Sequence, residues 1–86
     1  MKLPETISLI RSAGVPDWFY AVDGGLGAGE CLGIEPSGDG WSIYFSERGS
    51  KSRLESHPTE DAACQAFLRA LNRTLRESGR SGIPGV

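Results

Sequence analysis

Apolar positions recur along this chain with two periods. Leu3, Ile7 and Ile10 stand four and three residues apart, so they share one helical face and predict a short helix over residues 3–13. Pro4 suits a first helical turn, Glu5 suits the positive end of the helix dipole, and Gly14 with Pro16 ends the element. The period then shortens to two. Asp17 to Val22 is dense in aromatic and β-branched side chains and reads as a first strand, broken by Asp23-Gly24-Gly25 and a Gly-Leu-Gly-Ala-Gly loop. Residues 30–35 form a weaker second strand, with Cys31, Leu32 and Ile34 available for burial. Pro36-Ser37-Gly38-Asp39-Gly40 is a hairpin turn. Trp41 to Ser46 alternates most clearly: Trp41, Ile43 and Phe45 on one face, Ser42, Tyr44 and Ser46 on the other. After a turn at Arg48-Gly49-Ser50, the polar segment from Lys51 to Ser56 is expected at a sheet edge, where its charges discourage edge-to-edge pairing.

A helical period returns after Pro58. Thr59 is placed to cap a helix reaching about Glu77, with Glu60 and Asp61 in its first turn. Cys64, Phe67, Leu68, Leu71 and Leu75 make its apolar stripe, and Arg69, Arg73 and Arg76 lie opposite, with Arg80 in register if the helix continues. Gly79 is expected to end it. The fold class that follows is α+β: a short N-terminal helix, an antiparallel meander of three to four strands, and a longer C-terminal helix, with both apolar helix stripes covering one sheet face. Residues 1–79 are expected to form a single domain and residues 80–86 a loose, flexible tail without a core pattern.

Composition refines this picture in a few places. An 86-residue chain with 38% apolar residues and two tryptophans suits one small globular domain, and its twelve glycines suit tight turns. No apolar run approaches the ~18 residues of a membrane span. With no leader pattern at the N-terminus, a cytoplasmic protein with Cys31 and Cys64 reduced and packed is expected. Net charge is −2, but it is unevenly spread. Asp17, Asp23, Glu30, Glu35, Asp39 and Glu47 follow one another with no Lys or Arg between them, whereas Arg69, Arg73, Arg76 and Arg80 face Glu77 alone.

Catalytic chemistry finds little support. His57 is the single histidine and sits before Pro58 at a strand-to-helix junction, where a local hydrogen bond explains it. His57 and Cys64 are seven residues apart, a conceivable nucleophile pair, yet Cys64 falls on the apolar stripe. No metal-ligand spacing joins His57 with the two cysteines. The glycine loop fails the dinucleotide pattern at Glu30 or at Leu32, and no GK[ST] follows. A binding protein that is not an enzyme, with no metal and no cofactor, is therefore expected. One candidate surface is the acidic block, with Tyr44 as an aromatic anchor, meeting a basic partner. The other is the arginine face of the last helix, which could contact a nucleic-acid backbone; the acidity of the rest of the chain disfavours it.

Phe19-Tyr20-Ala21-Val22-Asp23-Gly24-Gly25, Cys31-Leu32, Trp41-Ser42-Ile43-Tyr44-Phe45-Ser46-Glu47-Arg48-Gly49-Ser50-Lys51 and Thr59-Glu60-Asp61-Ala62-Ala63-Cys64 form an ordered set. The set resembles small immunity proteins of bacterial polymorphic toxin systems, with their DGG … CL … WxxYxSERGxK … EDxAC pattern. The resemblance spans roughly residues 14–72, and the Ser-Glu-Arg-Gly-Ser-Lys stretch is its most specific part. Ala21, Ile43, Phe45 and the arginine-rich end depart from the pattern, which leaves the partner's identity open. The resemblance implies a protein that occludes the active site of a cognate toxin catalytic domain, a nuclease or a nucleotide-cofactor-degrading enzyme, without catalytic groups of its own. Asp23, Glu30, Tyr44, Glu47 and Arg48 are the expected partner-binding residues, because they are polar or amphipathic and sit at strand ends and turns.

Overall fold

A computed structural model describes residues 1–22, 30–47 and 49–86. Helix α1 (Leu3–Ser12) opens the chain, followed by strands β1 (Tyr20–Val22), β2 (Cys31–Ser37), β3 (Gly40–Glu47) and β4 (Ser50–His57), and by helix α2 (Glu60–Glu77). The α+β class read from the sequence is the one observed.

Both helices are delimited by local chemistry. The Lys2 N–H donates to Glu5 Oε1 at 3.2 Å at the start of α1. Thr59 Oγ1 accepts the Ala62 N–H at 3.1 Å at the start of α2. Each helix ends in a glycine at φ 81°, Gly14 and Gly79. The following N–H groups, those of Val15 and Arg80, turn back to the Ile10 and Leu75 carbonyls and satisfy the last turn. The Leu3 N–H donates to Glu60 Oε2 at 2.8 Å, which ties the start of α1 to the start of α2.

The strands form one sheet in the order β1-β2-β3-β4. β2, β3 and β4 are antiparallel neighbours, as the hairpin signals predict. Gly38 and Asp39 bridge the paired Ser37 and Gly40, with Gly38 at φ 60°, a value suited to glycine. β1 differs from the expected meander: it runs parallel to β2, pairing Tyr20 with Leu32 and Val22 with Ile34. A parallel neighbour needs a crossover rather than a tight turn; the glycine loop expected between the two strands, residues 23–29, lies outside the described residues. A bulge interrupts β3–β4 pairing: Ile43 faces Glu55 and Tyr44 faces Arg53, so Leu54 is the extra residue and stands 54% exposed.

Tyr20, Leu32, Ile34 and Ile43 point to the helix side and pack with Phe67, Leu68, Leu71 and Leu75 of α2. The Tyr20 and Phe67 rings meet edge-on with centroids 6.5 Å apart. α1 packs chiefly on α2 rather than lying beside it on the sheet; its Leu3 and Ile10 join the same core. Residues 80–86 also depart from the loose tail expected. Ile83 is 2% exposed within the core, and its N–H donates to Asn72 Oδ1 at 2.7 Å. A single Ile among Gly, Ser and Pro has no periodicity to announce burial, and the polar side chain that holds it belongs to another element.

Candidate functional site

The opposite sheet face carries a small cluster of its own, formed by Ala21, Cys31 and Tyr44. Tyr44 is 1% exposed. Its ring lies over Gly33, its cross-strand partner, where any β-carbon would collide with the ring atoms. Tyr44 is thus presented to Gly33 and not to solvent, which corrects the expectation of an exposed aromatic anchor. The missing side chain at Gly33 opens the space that the ring fills.

Asp23 and Arg48 lie outside the described residues. Glu30 and Glu47 are exposed and flank the paired Cys31 and Ser46, so the two carboxylates stand at the same end of the sheet. Neither makes an ion pair among the described residues. Of the other described acids, Glu35 and Asp39 do not join them. Glu35 is bonded to Lys51 at 2.8 Å, Asp17 is 3.8 Å from Arg11, and Asp39 sits in the hairpin turn at the far end of the sheet. Contiguity in sequence separates in space because the block crosses two strands running in opposite directions.

Trp18 supplies the exposed aromatic that Tyr44 does not. Pro16 and a 3-10 turn at Asp17–Phe19, closed by Phe19 N–H donating to the Pro16 carbonyl at 3.0 Å, replace the strand expected there. The turn leaves Trp18 58% exposed while Phe19 packs on the core. Trp18, Phe19, Glu30, Leu32, Phe45 and Thr74 line a groove of about 250 Å³ between the sheet end and α2. The Arg80 guanidinium stacks 5.6 Å from the Trp18 centroid and 5.5 Å from that of Phe19, placed there by the chain reversal at Gly79. The signal available in sequence was Pro16-Asp17, a turn-initiating pair, ahead of three consecutive aromatics that a two-residue period cannot bury together.

Arg69, Arg73 and Arg76 are exposed on the outer face of α2, without ion pairs among the described residues. His57 Nε2 lies 2.8 Å from Glu55 Oε1, the local hydrogen bond its junction position suggested. Cys64 is wholly buried on α2. Burial pushes its thiol pKa up, tempered by a hydrogen bond with Thr6. Burial alone pushes Cys31 up. The two thiols are free and belong to clusters on opposite sides of the sheet. Among the described residues no group of His, Cys, Asp and Glu could hold a metal ion, and no helix is long and apolar enough to cross a membrane. No family model, curated protein or solved structure matches the chain.

Proposed function

We propose that this protein neutralises a cognate bacterial toxin by binding its catalytic domain and occluding the active site, as an immunity protein of the cytoplasm. The observation that carries the reading is the Trp18 groove: an exposed tryptophan beside Glu30, with Glu47 on the same sheet end. Tryptophan is among the commonest interface hot spots, because it supplies a large rigid contact area. Glu30 in the groove and Glu47 at the same sheet end suit a basic catalytic cleft of a nuclease or a nucleotide-cofactor-degrading enzyme, with Arg80 on the Trp18 ring an opposing charge beside them. Complementary charge speeds encounter. Inhibition of a toxin inside its own cell calls for about nanomolar affinity, roughly −12 kcal/mol.

The test is capture of the toxin domain on the tagged protein, followed by an inhibition assay on that domain. The expected partner is a catalytic domain inhibited at one-to-one stoichiometry. Trp18→Ala is expected to weaken binding by about thirtyfold or more, the loss of a hot spot of ~2 kcal/mol. Glu30→Lys with Glu47→Lys is expected to slow association and to reverse its salt dependence. A catch without an enzyme domain, or full affinity in Trp18→Ala, would sink this reading.

The alternative, a nucleic-acid-associated module, draws on the exposed Arg69, Arg73 and Arg76 and on Arg80 beside Trp18. It requires binding that weakens steeply with salt, and a negative electrophoretic shift at low salt removes it.

A further inference from the structure

The sheet face turned away from α2 holds a polar cavity unrelated to the Trp18 groove. Strand register arranges this face in rows: Glu35, Ser42 and Ser56; then Gly33, Tyr44 and Arg53; then Cys31, Ser46 and Lys51. The long side chains of β4 run diagonally across it. Lys51 passes 5.0 Å from the Tyr44 ring centroid to reach Glu35 Oε2 at 2.8 Å. Arg53 Nη2 donates to Ser37 Oγ at 3.2 Å. Between these side chains lies a cavity of about 160 Å³ lined by Glu35, Ser42, Tyr44, Lys51 and Arg53.

Two independent features give this cavity a chemistry. Ser42 is 2% exposed, and its hydroxyl has no hydrogen-bond partner among the described residues. Native proteins leave few buried hydroxyls unpaired, so the Ser42 hydroxyl is a hydrogen-bonding group at this cavity that no described residue satisfies. Among the described residues each neighbouring cation makes one hydrogen bond, Lys51 to Glu35 and Arg53 to Ser37, and each keeps further N–H donors, an ammonium having three and a guanidinium five. Among the described residues of its lining, Lys51 and Arg53 set two positive charges against the one carboxylate of Glu35.

We propose that this cavity binds the oxyanion head of a small molecule, a phosphate or a carboxylate, held by the Ser42 hydroxyl, the Lys51 ammonium and the Arg53 guanidinium. The planar guanidinium fork matches either head group. Glu35 opposes the ligand, since it shares Lys51 and carries the same charge as the anion. That competition weakens binding and gives the site a sign that an ordinary surface ion pair lacks: removing the Glu35 charge must strengthen binding.

The experiment is an amide NMR titration of the full chain with inorganic phosphate and, separately, with acetate, at constant ionic strength. Saturable shifts confined to Ser42, Tyr44, Lys51 and Arg53 are expected. Tighter binding of phosphate assigns a phosphoryl ligand, and tighter binding of acetate a carboxylate. Glu35→Gln is expected to tighten binding several-fold, and Arg53→Gln to weaken it roughly tenfold, the size of a lost charge-assisted hydrogen bond. Ser42→Ala is expected to weaken anion binding while leaving the thermal midpoint of the free protein unchanged, because no bond is broken there. Absence of saturable shifts with both anions overturns the proposal, as does a Glu35→Gln variant that binds no tighter. A large loss of stability in Ser42→Ala overturns it too, by showing that the hydroxyl is already satisfied.

Discussion

Gly33→Ala tests the packing of the outer sheet face in one methyl group. Gly33 has no positive φ, so its backbone accepts any residue. In a strand interior, alanine in place of glycine is ordinarily favourable by about 0.5–1 kcal/mol. Here the new β-carbon would overlap Cζ, Cε2 and the hydroxyl of Tyr44, a ring 1% exposed with little room to withdraw. Overpacking of this kind costs about 1–3 kcal/mol, so the two effects leave a net loss of roughly 1–2 kcal/mol. In a domain of this length that lowers the melting temperature by about 5–15 °C. Urea denaturation of the four proteins in a cycle with Tyr44→Leu isolates the contact. In the Tyr44→Leu background the collision partner is smaller, and Gly33→Ala should become neutral or mildly stabilising. A stabilising Gly33→Ala in the parent, or an equal cost in both backgrounds, would refute the reasoning.

Other consequences are equally accessible. Thr59→Ala removes the cap bonded to the Ala62 N–H and should cost about 1 kcal/mol, read as a lower urea midpoint with an unchanged slope. Asn72→Ala removes the acceptor of the Ile83 N–H, so exchange of that amide should accelerate while amides in β3 remain protected. Both thiols have pKa values raised by burial, so the unfolded chain ionises first as pH climbs. Their contribution to stability is complete below the ordinary thiol range and is lost as pH rises through the native values; a midpoint that increases on going from neutral to about pH 10 contradicts this. The same burial predicts thiol labelling by Ellman's reagent that is slow in the native protein and fast in urea.

Local patterns were enough to specify both helices, the β2–β3–β4 antiparallel order and the α2 core stripe. Their determinants lie within a few residues of one another: the Thr59 cap, the Gly14 and Gly79 stops, the Gly38-Asp39 turn and the alternation through Trp41 and Phe45. The sequence also determined that Glu30 and Glu47 would be exposed, since charged residues at strand ends have no core to enter. Only the tertiary structure decided what these elements meet. The parallel placement of β1, the docking of Ile83 under Asn72 and the seating of Tyr44 on Gly33 each join residues ten or more positions apart. Nothing in either partner's own neighbourhood encodes such a meeting. The same holds for the acidic block, which is continuous in the chain but is divided between opposite ends of the sheet and neutralised in part by Lys51 and Arg11. The Trp18 groove and the Ser42 cavity arise in that way as well: strand register and chain reversal decide which side chains share a space, and the chemistry of that space follows from their company.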